Sequence, residues 1–331
     1  MTGTSASTLA RPHLPARFPR AAARCAIAAL ATLALDGCLL GGSEPLAPVS
    51  QAPGTAQHGV QVGALTRTFL LHVPPKRPRR LGRHVAYPLV IVLHGSGANA
   101  ETVRRMSGMD AIADAERFLV AYPNGTTGRL GLQSDWNAGE CCGTAESQHV
   151  DDVAFIRQLV DSLASRMPVD RDRVFVAGFS DGGRMTYRIA CELGAQIAAV
   201  AVISGSLVDA HCDPRRPVPL IAFHGTSDQD VAYADSSYST PRRSPPSAAD
   251  SAPPAIRFWS ASNGCQTVTL KRQSPHVTQM HFDQCAAEVV LYTVEEGLHA
   301  WPGGASDGQE PTSEIDASSL AWRFFARHPL H

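Results

Sequence analysis

The sequence predicts an α/β fold, a mostly parallel central sheet with helices on both faces. Three observations carry this. Short runs of branched apolar residues have the length and composition of buried strands: LVIVL at 89–93, RVFVA at 173–177 and VVLYTV at 289–294. Helical patterns separate them, as where Val153, Ile156, Leu159, Val160 and Leu163 recur at the spacing of one helix face. The run at 173–177 leads through a glycine-rich turn, Gly178-Phe179-Ser180-Asp181-Gly182-Gly183, straight into a helical pattern. Strands alternating with helices in this way pair in parallel and are covered on both sides.

In chain order, residues 68–73 read as a first strand. Residues 89–93 form a stronger one that ends at His94-Gly95-Ser96-Gly97. Helices are expected over 100–106 and 109–117, and a strand over 118–121. A long glycine-rich loop follows at 125–149, then an amphipathic helix at 150–165. After the strand at 173–177 come a helix at 181–193 and strands at 198–203 and 219–223. A Ser/Pro-rich loop at 233–254 precedes a helix at 255–261. The strand at 289–294 and a helix at 318–325 close the chain. No internal repeat and no composition break interrupts this stretch, which points to one catalytic domain over 57–331.

Composition sets the outer limits. The chain has 331 residues, 44% hydrophobic and 18% charged, enough apolar content to build a core. A formal charge of −1 leaves no basic footprint, which argues against a nucleic-acid partner. The N-terminus is basic at Arg11, Arg17, Arg20 and Arg24, then apolar over CAIAALATLAL at 25–35. That run is too short to span a membrane and reads as the core of a signal peptide. Leu35-Asp36-Gly37-Cys38 and a Gly/Ser/Pro-bearing stretch follow. The order resembles a bacterial lipoprotein signal: 1–37 as signal peptide, Cys38 as the lipidation candidate and 38–56 as flexible tether. Membrane contact would then run only through the N-terminal lipid. The expected location is periplasmic, cell-surface or extracellular. Removing 1–37 takes away four of 29 basic residues and one of 30 acidic ones, so the mature chain is net acidic.

Eight cysteines are present, of which Cys25 and Cys38 belong to the export segment. An even set remains in an exported protein, which suggests disulfides. Pairing neighbours gives Cys191–Cys212 and Cys265–Cys285, with Cys141 and Cys142 as a vicinal bridge or as thiols. No CxxC pair with a matching His set supports zinc.

The chemistry concentrates at strand ends, where ligands of open α/β sheets bind. Gly178-x-Ser180-x-Gly182 lies between a strand and a helix, the context in which this pattern exposes a nucleophilic serine. A phosphate loop would carry Lys after the glycines; Arg184-Met185 follow here. A serine nucleophile needs a base, an acid and an oxyanion hole, in the order Ser, Asp/Glu, His on this kind of fold. Asp228 closes His224-Gly225-Thr226-Ser227-Asp228 just past a strand. Asp230 is its near competitor, and Asp228 is favoured because it comes first. Among His276, His281, His299, His328 and His331, His299 alone sits just past a late core strand. Backbone N–H groups of Ser96 and Asp181 are the expected oxyanion donors, and His94 a brace of its loop.

LVIVLHGSG, AYPNG, WNAGECCG, VDDVAFI, RVFVAGFSDGG, FHGTSD, NGC and HAWPGG occur in one order. Together they resemble the secreted α/β-hydrolase esterase family that holds polyhydroxyalkanoate depolymerases and feruloyl or acetylxylan esterases. The resemblance covers nearly all the chain after the tether. It implies the α/β-hydrolase fold and a Ser180–Asp228–His299 triad. Leu298 departs from it, standing where many relatives carry Gly.

These residues imply a serine esterase that forms an acyl-enzyme and needs no metal and no cofactor. The resemblance implies that its substrates are hydroxybutyrate-type oligomers or feruloyl and acetyl esters of plant polysaccharide. Trp136, Tyr233 and Trp301 are the cleft candidates, since strand-end aromatics can stack on a sugar or phenolic group. Tyr122, Asp135 and Glu140 lie in the same loops. Two other function classes share the scaffold: a serine peptidase and a non-catalytic, ligand-binding surface lipoprotein. Oligomeric state leaves no mark on the sequence.

Overall fold

Four of the central strands are buried along their whole length, and a fifth over its second half. In the computed structural model, which describes residues 49–75, 86–128, 134–209, 211–234 and 251–330, β3 (Tyr87–Leu93), β4 (Leu119–Pro123), β8 (Ala199–Ile203) and β9 (Leu220–Gly225) expose no residue. With β7 (Val169–Phe179) and β12 (Val289–Val294) they form a parallel block in the order β4-β3-β7-β8-β9-β12. Burial on both faces explains the unbroken apolar runs. Leu89, Ile91 and Leu93 join one cluster, Val90 and Val92 the other, as a period of two requires.

Helices supply the two covers. On one face lie α4 (Asp152–Arg166), α5 (Asp181–Leu193) and α6 (Pro254–Ser262); on the other lie α1 (Ala100–Ser107), α2 (Met109–Glu116) and α7 (Ala317–Phe325). Several begin where a short polar side chain caps them. Asn99, Asp151 and Asp316 accept backbone N–H bonds from Thr102, Ala154 and Ser319 at 2.8–3.0 Å. A buried ion pair, Arg67 to Asp152 at 2.7 Å, ties the edge of the sheet to the start of α4. The described residues all fall within one compact unit, Pro45–His331.

Antiparallel hairpins extend both ends of the block. β1 (Gly54–Val62) and β2 (Leu65–Val73) pair with each other, and β2 with β4. β10 (Thr267–Ser274) and β11 (Val277–Asp283) extend the other end through β12. Two corrections to the expected elements arise here. Residues 54–56, placed in the flexible tether, open β1. The polar stretch before Cys285, given no element above, forms strands β10 and β11, with His281 in β11 and His276 in the turn between them. The expected loop at 125–149 holds a two-stranded ribbon, β5 (Thr126–Thr127) with β6 (Ser134–Asp135), and a short helix α3 (Gly143–Ser147). The expected signal at 1–37, Cys38 and the first part of the tether lie outside the described residues, as does most of the Ser/Pro-rich loop.

Disulfides join Cys191 to Cys212, Cys265 to Cys285 and Cys141 to Cys142. The first two close segments of 21 and 20 residues. Loops of that size restrict the unfolded chain by about 3 kcal/mol each in the chain-entropy account.

Candidate active site

Ser180 ends β7 and starts α5 with φ 55° and ψ −119°. A non-glycine residue in so sparsely populated a region costs about 1–3 kcal/mol, which its surroundings must hold. Its N–H donates to the Ile203 carbonyl and its own carbonyl accepts from Arg184 N–H, both at 3.0 Å. Serine at a helix start usually turns its hydroxyl back to cap the helix. Ser180 makes no such bond, so the hydroxyl is left for chemistry.

The flanking glycines are steric necessities. A Cβ on Gly178 would fall on the Gly182 carbonyl, and a Cβ on Gly182 would fall on the carbonyl oxygens of Leu93 and His94. At these two positions strand β3, the turn and helix α5 approach backbone to backbone, closed over Gly178 by Thr186 Oγ1. Gly182→Ala is expected to cost about 3 kcal/mol by overpacking. Chemical denaturation reads this directly, and a variant as stable as the wild type would show that the turn relaxes freely.

His299 follows β12 and Asp228 follows the neighbouring β9, so parallel pairing brings the two loops together. Ser227 N–H donates to Gly297 O at 2.9 Å, and Thr226 N–H to Val294 O at 2.9 Å. His299 Nδ1–H donates to Asp228 Oδ2 at 2.8 Å. Oδ1 of the same carboxylate accepts the N–H groups of Asp230, at 3.0 Å, and Val231, at 2.8 Å. Burial alone would raise the Asp228 carboxyl. Hydrogen bonds from His224, His299 and the Val231 N–H outweigh it and hold the group well below the usual carboxylate range. With Nδ1 donating, His299 keeps Nε2 as an acceptor. Its ring lies against Phe179, 4.7 Å between centroids.

Ser180 and His299 line one cavity of about 470 Å³. Ser96, Asp181 and Trp301 line it too, with Val103 and Met106 of α1 forming an apolar wall. Ser96 Oγ donates to Asp135 Oδ1 at 3.1 Å. Asp181 pairs with Arg184 at 2.8 Å; burial, joined by the nearby Asp135, raises its carboxyl against that pull. His94 is buried, which pushes its imidazole down to about 4. Nδ1–H donates to Gly95 O at 2.7 Å and Nε2 accepts from Gly125 N–H at 2.9 Å. Both ring nitrogens are engaged, so it braces its loop and is no base.

The aromatic cleft residues divide. Trp301 lines the cavity, with its indole N–H donating to Ser318 Oγ at 2.9 Å. Trp136 and Tyr233 do not line it. Trp136 is fully buried and donates to the His94 carbonyl at 2.9 Å, so it supports the loop from beneath. The Tyr233 hydroxyl is within 2.8 Å of Thr293 Oγ1, and its ring meets His224 edge-on. An indole N–H or phenol in a loop finds an internal partner as readily as a ligand. Asp230, the competing acid, takes a hydrogen bond from Gln309 instead, at 2.9 Å. Gln309 was invisible to sequence reasoning. It sits in a glycine- and serine-bearing loop with no periodicity to mark it.

Residues 69–242 match the family described as Esterase PHB depolymerase. The protein named "Putative esterase NocK" of Nocardia uniformis subsp. tsuyamanensis is 31% identical over 274 residues, spanning 78% of this chain and 76% of that protein. Feruloyl esterase B of Piromyces equi is 32% identical over 222 residues, covering 65% of this chain but only 40% of its own length. Among solved structures, the acetyl xylan esterase from Aspergillus awamori superposes with a TM-score of 0.58 at 14% identity, covering 82% of this chain and 99% of that one. At that identity the likeness speaks for the fold. Motifs, sheet order and the sequence match converge: the chain belongs to the Esterase PHB depolymerase family and is an esterase on the α/β-hydrolase fold.

Proposed function

We infer that this esterase is exported and works by a serine acyl-enzyme mechanism. The observation that carries it is the 2.8 Å bond from His299 Nδ1 to Asp228, formed beside the same cavity as the uncapped Ser180 hydroxyl. His299 Nε2 takes the proton of Ser180 as Oγ attacks the ester carbonyl. Backbone N–H groups of Ser96 and Asp181 stabilise the oxyanion. His299 then protonates the leaving alcohol, and water, activated by the same imidazole, releases the acid. Asp228 holds the imidazole in the working tautomer. Hydrolysis of 4-nitrophenyl acetate by the purified protein, beside a peptide substrate, tests the reading. Peptide turnover without ester turnover would sink it.

Three disulfides fit an oxidising compartment. Among the described residues no helix is long and apolar enough to cross a membrane. Residues 1–37 act as the signal, Cys38 carries a lipid, and the catalytic domain follows the tether. Metabolic labelling with a fatty acid, lost in Cys38→Ala, tests the anchor.

The substrate class follows from the walls of two cavities. Val103, Met106, Phe179 and Trp301 suit an apolar acyl group. A second groove, of about 550 Å³, shares Ala98 with the first. Thr66, Thr68, Asn99, Thr126 and Thr127 line it, and its one cation, Arg67, is neutralised by Asp152. Thr126 Oγ1 has no hydrogen-bond partner among the described residues. An uncharged, hydroxyl-lined groove suits a polyhydroxylated alcohol such as a saccharide better than a polyester chain. Thr127→Trp, which fills the groove, is expected to lower kcat/KM for an acetylated xylo-oligosaccharide about tenfold, a loss the size of about 1.4 kcal/mol. Turnover of 4-nitrophenyl acetate stays near wild type. An equal loss on a hydroxybutyrate trimer would favour the polyester instead.

A further inference from the structure

The loop after His299 reaches back to the triad through one side chain. Gln309 Oε1 accepts the backbone N–H of His299 at 2.9 Å. Its Nε2 donates to Asp230 Oδ2 at 2.9 Å. The Asp230 N–H in turn donates to Asp228 Oδ1 at 3.0 Å, and Asp228 Oδ2 accepts from His299 Nδ1 at 2.8 Å. These four bonds close a ring that runs through the acid and the base and returns to its start.

The loop is built to hold Gln309 there. Gly303 N–H donates to Thr312 O at 2.8 Å and closes its neck. Ala305 N–H donates to Met106 O at 3.0 Å and pins it to the end of α1. Ser306 Oγ donates to the Gln309 carbonyl at 2.9 Å. His299 itself belongs to no helix or strand, so no ladder bond fixes its backbone. Gln309 supplies the missing partner. A planar amide presents an acceptor and a donor on one end, which is what a site between a peptide N–H and a carboxylate requires.

We propose that Gln309 is a positioning residue, a latch that sets the His299 imidazole on Asp228 and toward Ser180, with Asp230 as its anchor. It lines the cavity beside Ser180, but both ends of its amide are taken by His299 N–H and Asp230, so it acts through the base rather than on the reacting atoms. Its effect is geometric, because small misplacement of a catalytic base costs turnover steeply. The proposal rests on the triad reading above. It also gives a distinct task to the carboxylate that competed with Asp228 for the acid's role.

The test reverses the polarity of the latch. Gln309→Glu keeps an acceptor for His299 N–H but sets a carboxylate against Asp230. The expected result is a fall in kcat of at least about tenfold on 4-nitrophenyl acetate, with KM changed less than about twofold. Adding Asp230→Asn restores a donor facing Glu at 309 and rebuilds the ring with the same net charge. The double variant is expected to recover most of the lost kcat. Gln309→Leu removes both bonds without adding charge, and is read the same way should the glutamate fail to fold. Wild-type kcat in both single variants would overturn the proposal. So would a double variant no better than Gln309→Glu, or a loss that appears in KM alone. Ser180→Ala, assayed alongside, separates the two readings. If it stays active the triad reading fails, whereas if it is dead and Gln309→Glu is unaffected only the latch fails.

Discussion

Replacing Ser180 by Ala is expected to remove ester turnover, by roughly five to six orders of magnitude in kcat, and to leave the fold standing. The size follows from the proposed role, in which Ser180 Oγ forms the acyl-enzyme while the oxyanion donors and substrate binding remain and account for the residue of activity. The fold survives because the Ser180 hydroxyl makes no capping bond to α5. What holds the turn is backbone: Ser180 N–H to Ile203 O, Arg184 N–H to Ser180 O, and the close packing of Gly178 and Gly182. Alanine keeps all of these. Initial rates on 4-nitrophenyl acetate and a thermal melt check both halves. Retention of more than about one part in a hundred of wild-type kcat would point to a different nucleophile.

Asp228→Asn is expected to cost roughly four orders of magnitude in kcat with little change in KM. Asp228 uses Oδ1 on two backbone N–H groups and Oδ2 on His299. In the amide, the oxygen stays with the two backbone donors and the NH2 faces His299. That forces Nδ1 to accept and puts the proton on Nε2, where the base must be bare. Geometry is kept and the tautomer is wrong. The wild-type pH profile carries a related expectation. The Asp228 carboxyl is held well below its usual range. A carboxylate depressed in this way contributes stability in full above the unfolded value near about 3.9, and loses it as pH falls through the lower folded value. Asp228 therefore remains ionised throughout the mildly acidic range. Its protonation should contribute no acid limb to kcat/KM above about pH 4. A carboxylate infrared band of Asp228 that disappears on acidification above that pH would count against the assignment.

Legibility in the sequence tracked how local each constraint is. Ser180 was legible because its turn is a property of six consecutive residues: a strand must reverse into a helix, and only Gly at 178 and 182 fits the contact. The parallel strands were legible because burial on both faces demands continuous apolar runs. β10 exposes most of its residues and β1 about half, so neither carries a run or a clean alternation, and both were missed. β11 alternates weakly around Val277, Met280 and Phe282 and was missed with its partner. Edge strands need little apolar surface, and their pairing with an inner neighbour leaves no signature in their own residues.

The site shows the same division. Sequence order and strand ends were enough to nominate Asp228 and His299, because a parallel sheet delivers successive strand ends to one edge. They could not choose between Asp228 and Asp230 on chemistry, since both are carboxylates two residues apart. Tertiary structure decides: one faces His299 and the other faces Gln309. Nor could they tell a lining aromatic from a buried one. Trp136 and Trp301 are both almost wholly buried, yet one supports the loop under His94 while the other borders the cavity.

By itself, then, the sequence determined the fold class, the turn at Ser180 and the chain order of the candidate residues, all of which rest on short-range sterics and on patterns of burial. Only the tertiary structure decided which carboxylate meets the imidazole, which aromatics border the cavity and that Gln309 closes the ring. Those are contacts between loops far apart in the chain. Their geometry depends on how strands β9 and β12 pair and on how the loop at 303–312 folds over α1, and no local run of residues encodes that.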